Sequence, residues 1–282
     1  MTEIITKTKS EFEYKPIPHN LYHQYQCLAI RVITRIAHKY HIAPNKINYN
    51  HILNYFKYNF PYSHLRLLVP NDEILDLPNI SDNESIIKRF NHKAYQHGLN
   101  IKADIVENVD ESVLEAISGF TIFSESDPFI NICYSQQLVW PRIVFTLLHE
   151  YGHIYCYKII PTYADRYIYV QRNKDNEDFK REYDQFEAEA STFASLLYVS
   201  DCSLGDNLLK KSFKQLQAIY SMSTPAMFNR LRNYFEHNCK TTRAEASIFS
   251  TYFKNNYIDE IKMIRKEIIC KRPKLIQDYF TF

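Results

Sequence analysis

With 282 residues and 45% apolar side chains, the chain can bury a substantial core as one large domain or two modest ones. A formal net charge of +2 argues against a general polyanion-binding surface, and four glycines (Gly98, Gly119, Gly152 and Gly205) can build neither a Walker loop nor a dinucleotide fingerprint. Six cysteines without a CxxC pair predict reduced thiols, and the lack of any apolar run of about 18 residues or of an apolar core in MTEIITKTKSEFEYKPIPHN predicts a soluble, cytoplasmic protein.

In chain order, residues 20–41 place apolar side chains at helical spacing and Pro44 closes them; a second amphipathic helix is predicted over 46–58. HLRLLVP at 64–70 reads as a short strand, and 84–97 as a helix stopped by Gly98. Residues 100–106, 119–124 and 128–134 cluster or alternate apolar residues between turn formers, as strands of a small sheet do. Beyond Val139 the pattern is helical, with Pro141 near the first turn of a strongly apolar helix, a polar connection over 157–180, and helices at 181–199, 205–220, 224–236 and 243–268. Helices, then strands, then helices predict an α+β fold, mainly helical, with a small mixed or antiparallel sheet on the helix that follows Val139. A division into 1–80, 81–200 and 201–282 matches these changes of pattern.

The motif that carries chemistry is HEYGH at 149–153. Residues four apart share a helix face, so His149 and His153 can aim at one point while Glu150 stands beside it as a base. Ile143, Val144, Phe145, Leu147 and Leu148 sink this helix in a core, where a carboxylate between two histidines needs a compensating charge such as zinc. A catalytic zinc takes three protein ligands and keeps a fourth position for water. The helix REYDQFEAEASTFASLLYVS at 181–200 offers Glu182, Asp184, Glu187 and Glu189 for the third, with Glu187 and Ser191 one turn apart on one stripe.

FTLLHEYGH followed by EAEASTFASLL resembles the paired helices of the ImmA/IrrE family of intracellular metallopeptidases. The likeness extends to GFTIFSESDPFINICY upstream and LKKSFKQLQAIYSMSTPAMFNRLRNY downstream, over about residues 84–236. It implies zinc on His149, His153 and Glu187, Glu150 as general base, and a regulatory role, cleaving a helix-turn-helix repressor on phages, mobile elements or in stress responses. Two features depart from the family pattern. Ser191 stands where an Asn or Asp usually orients a ligand histidine, and Tyr198 and Val199 replace a Met-Pro pair.

On this reading Phe129–Tyr134 is either an edge to which an extended substrate adds as a strand, or an ordinary core strand. A rival function is DNA or partner binding on an inactive or metal-sensing protease fold. QLQAIYSMSTPAMFNRLRNYF has helix-turn-helix rhythm with Arg230 and Arg232 on its second helix, and Lys262–Lys274 is basic.

Overall fold

Local signals set most of the helix boundaries. The computed structural model describes residues 15–70, 83–110, 112, 118–122, 128–134, 139–166, 169 and 180–280; the side chains at 180, 181 and 271–280 lie outside that set. Helix α1 (His19–Tyr40) ends where His41 turns into the left-handed region at φ 53°. A 3-10 turn at Pro44–Lys46 precedes α2 (Tyr49–Asn59), whose start is fixed by a reciprocal capping box between Asn48 and His51. The other elements are β1 (His64–Pro70), α3 (Asn83–Gln96), β2 (Ile105–Val109), β3 (Gly119–Ile122), β4 (Phe129–Cys133), α4 (Trp140–Ile159) and α5 (Lys180–Tyr198). They are followed by α6 (Asp201–Leu208), α7 (Phe213–Tyr220), α8 (Thr224–Asn233), a π-helical turn Tyr234–Asn238, α9 (Arg243–Asn255) and α10 (Ile258–Phe280).

Three expected elements shift. The strand expected at 100–106 pairs only from Ile105, because Asn91 of α3 takes both backbone groups of Ala103, donating to its carbonyl at 3.3 Å and accepting from its N–H at 2.7 Å. The helix expected over 205–220 breaks after Leu208 and restarts at a Ser212–Gln215 capping box. The helix expected over 243–268 is divided by Asn256, which is left-handed at φ 57°. Of the polar connection, Ile159 still belongs to α4 and 163–166 form a short helical turn; 170–179 lie outside the described residues.

The fold is α+β and mainly helical, with one mixed four-stranded sheet of order β2-β1-β4-β3. Strand β1 runs parallel to both β2 and β4, with Leu67 opposite Val106 and Ile132, and β3 returns antiparallel to β4 with Thr121 opposite Ile130. Strand β4 is therefore an inner strand, and β3 is the edge on its side of the sheet. Helix α4 packs on β3 and β4, α5 packs on α4, and α1 lies along α5. Buried apolar residues form one cluster running from Ile17 to Ile268. No helix of the described residues is long and apolar enough to cross a membrane, and none of the six cysteines forms a disulfide among the described residues.

Candidate metal centre

Two helices build the site, and their close approach begins with Gly152. A Cβ there would lie 3.2 Å from Phe193 Cδ1, so the glycine lets α5 settle against the face of α4 that carries the histidines. From this contact the two helices present His149, His153 and Glu187 at one place.

The donor atoms converge. His149 Nε2 and His153 Nε2 lie 3.1 Å apart, Glu187 Oε2 is 3.1 Å from the first and Glu187 Oε1 is 3.8 Å from the second. Tetrahedral zinc with bonds of 2.0–2.1 Å would hold its ligands about 3.3 Å apart; the two edges at His149 Nε2 lie near this, and the longer edge from His153 runs to the other oxygen of Glu187. The remaining ring nitrogens are engaged: Tyr163 Oη is 2.8 Å from His153 Nδ1 and Ser191 Oγ is 3.3 Å from His149 Nδ1. Both rings are thereby turned with Nε2 inward, as metal-binding imidazoles are. His149, His153 and Glu187 can hold a metal ion; among the described residues they are the one such group. Both histidines are buried, whereas Glu187 keeps 30% of its side chain exposed and marks the side facing solvent.

Glu150 is buried beside the cluster, where Thr121 of β3 donates a hydrogen bond to its Oε2 at 2.7 Å. Burial pushes the Glu150 carboxyl up to about 7, with the Glu187 charge adding to the rise and His149 and the Thr121 hydrogen bond opposing it. Burial also works against a charged His149, but the hydrogen bond to Glu187 and the neighbouring carboxylates outweigh it and its pKa is raised. His153 is driven down to about 4 by burial, with His149 contributing. Glu187 is disfavoured as an anion by burial, yet its hydrogen bond to His149 and the two imidazoles hold its pKa below the ordinary value. These shifts favour neutral His153 and anionic Glu187, the forms in which each would hold a cation.

The competing carboxylates of α5 are accounted for by their contacts. Glu189 is turned away and saturated: Arg166 donates to it through two nitrogens at 2.7 and 2.8 Å, and Tyr25 of α1 donates at 2.7 Å. Asp184 pairs with Lys15. Glu182 is exposed. Sequence reasoning missed Thr121 and Tyr163, which reach the site through strand pairing and a turn and carry no local signature. Gly119 is a third omission. A Cβ on it would lie 2.6 Å from Thr146 Cγ2 and 2.7 Å from the Asn131 carbonyl oxygen, so β3 can lie this close to α4 only with glycine at that position. Gly119→Ala is expected to destabilise the protein by about 1–3 kcal/mol through this overpacking, read as a lower urea midpoint. An unchanged midpoint would show that β3 has room to move.

Some residues of the DNA-binding alternative make contacts within the chain. Arg230 is 1% exposed and locked to Asp201 and the Val199 carbonyl. The buried face of α8 carries Met227 and Leu231, and the helix packs against α9. In the basic stretch, Arg265 donates to the Leu208 and Lys211 carbonyls, closing the end of α6, and Lys262 pairs with Asp259.

No protein-family model, curated protein or solved structure matches this chain.

Proposed function

We propose that this chain is a zinc-dependent endopeptidase acting on a protein substrate. The observation that carries the reading is the meeting of His149, His153 and Glu187 at one point, with the Glu150 carboxylate fixed beside them. Two imidazoles and one carboxylate, with a face left toward solvent, are the donor set of catalytic zinc and leave space for water and a substrate carbonyl. Zinc held there supplies a Lewis acid that polarises a carbonyl and makes water nucleophilic near neutral pH.

The chain's own groups do the rest. Thr121 occupies Glu150 Oε2, leaving Oε1 to accept the proton of the attacking water. As the water oxygen bonds to the carbonyl carbon and the C–N bond breaks, Glu150 returns that proton to the departing amine nitrogen. A carboxyl poised near neutrality suits both halves of the transfer. Tyr183, one helical turn before Glu187, keeps its phenol protonated because burial and the charges of Glu187 and Glu150 raise its pKa, so its O–H is available as a donor at the site. An extended substrate fits the outer edge of β3, the strand that carries Thr121 and that pairs with β4 alone among the described strands, and not β4, which is paired on both sides. A helix-turn-helix repressor as substrate, and with it a cytoplasmic role in transcription regulation, rests on the sequence resemblance.

Metal content tests the reading. Wild type purified with zinc present is expected to hold about one zinc per chain, and His149→Ala and Glu187→Ala to lose it, since each removes one of three ligands. Wild type without metal under those conditions would sink the proposal.

A further inference from the structure

We propose that Tyr163 is a positioning residue of the metal centre, and that Arg166, Glu189 and Tyr25 form a latch holding the turn that carries it. The inference rests on the metal-binding reading of His149, His153 and Glu187.

The two ligand histidines are supported unequally. His149 has a serine hydroxyl at 3.3 Å, near the limit of a useful hydrogen bond, whereas His153 has the Tyr163 phenol at 2.8 Å. Tyr163 is buried, and its ring centroid lies 4.9 Å from that of Phe186, which itself stacks on His153 at 5.3 Å. Imidazole, phenol and phenyl rings are thus packed together, and the polar contact between the phenol and the imidazole falls on Nδ1. For Nε2 to give its lone pair to a metal, Nδ1 must carry the hydrogen, and the Tyr163 oxygen is placed to accept it. Burial keeps the phenol itself from ionising.

Tyr163 sits outside both helices of the site, in the turn after α4, so something must hold that turn. Tyr163 N–H bonds to the Ile160 carbonyl at one end. At the other, Arg166 grips Glu189 with both terminal nitrogens and lies over the Phe186 ring at 5.4 Å. Glu189 is 1% exposed, and a carboxylate so buried needs its donors: Arg166, Tyr25 and, at 3.3 Å, Gln185. Glu189 is two residues from Glu187, so one stretch of α5 supplies a metal ligand on one side and the anchor of the latch on the other. Tyr25 brings α1 into the same assembly.

The test is zinc affinity, measured by competition with a chromophoric chelator, for wild type, Tyr163→Phe, Arg166→Met, Ser191→Ala and the Tyr163→Phe/Arg166→Met double variant. Tyr163→Phe keeps the ring packed on Phe186 and removes only the hydroxyl; it is expected to weaken zinc binding about 10- to 100-fold while the metal-free unfolding midpoint stays near that of wild type. Ser191→Ala should weaken it less. Arg166→Met should weaken binding too, and the double variant should be no weaker than Tyr163→Phe alone, because both changes act through one hydroxyl. Wild-type affinity in Tyr163→Phe overturns the positioning role, and fully additive losses in the double variant overturn the latch. A wild type that binds no zinc removes the metal reading and this inference with it.

Discussion

A Glu150→Gln protein is expected to keep its zinc and to lose peptide hydrolysis by about a hundred- to ten-thousand-fold, the range a positioned general base contributes. Glutamine has the shape of glutamate, and its amide oxygen can still accept from Thr121, so the packing between β3 and α4 has no cause to change. Burial already disfavours the charged carboxylate, and an uncharged amide should not lower the unfolding midpoint of the metal-free protein. What the amide cannot do is take a proton from water and hand it to an amine. The measurement is zinc content together with the cleavage rate of whichever protein the wild type cuts. Loss of zinc in Glu150→Gln would make Glu150 part of the ligand cage, and an undiminished rate would place the base elsewhere.

Arg230→Met should lower stability by about 3–5 kcal/mol, the cost of leaving a buried charge without its partner. Arg230 and Asp201 are 1% and 4% exposed. The guanidinium donates to the Val199 carbonyl at 3.0 and 2.7 Å and to Asp201 Oδ1 at 2.5 Å, while Gln26 of α1 donates to Asp201 Oδ2 at 2.7 Å. With Arg230 gone, Asp201 and the Val199 carbonyl lose their main donor in a place water does not reach. Replacing both members by apolar residues, Arg230→Met with Asp201→Leu, should cost less than the sum of the single changes, because no orphaned charge remains. Urea unfolding of the four proteins closes the cycle, and a loss below about 1 kcal/mol in Arg230→Met would mean that the pair is relaxed or hydrated in solution.

Periodicity made His149, Glu150 and His153 legible, because the i, i+4 relation is local and the apolar run around it marks a buried helix. It could not choose among the carboxylates of α5. Positions 187 and 189 differ by about 200° around a helix at 3.6 residues per turn, but only packing decides which side faces the histidines. The family resemblance implied Glu187; in the structure Glu187 lies 3.1 Å from His149 Nε2, and Glu189 is consumed by Arg166 and Tyr25. Thr121, Tyr163 and Gly119 were illegible because their roles depend on strand order and on a turn. The same blindness left open whether Phe129–Tyr134 was edge or core. Arg230 shows the opposite difficulty: an arginine late in a short helix after a serine cap resembles a surface reader of DNA, and nothing in the local pattern distinguishes it from a buried hub. The breaks at Ser212 and Asn256 were within reach, since a Ser-Phe-Lys-Gln capping box and Asn in the left-handed region are local features.

The contacts of α1 have a consequence for how the chain is made. Tyr25 waits for Glu189, 164 residues later, and Gln26 for Asp201 and Asn238, 175 and 212 residues later. At synthesis rates of about 5–20 residues per second, α1 is made about 10–40 s before its last polar partner exists. Its apolar face is exposed for most of that interval, since the α5 surface it covers ends only at Tyr198. Assembly is therefore paced from the C-terminal side, and a ribosome stalled before residue 180 would hold α1 without the α5 surface it packs on, an early target for chaperones and proteases.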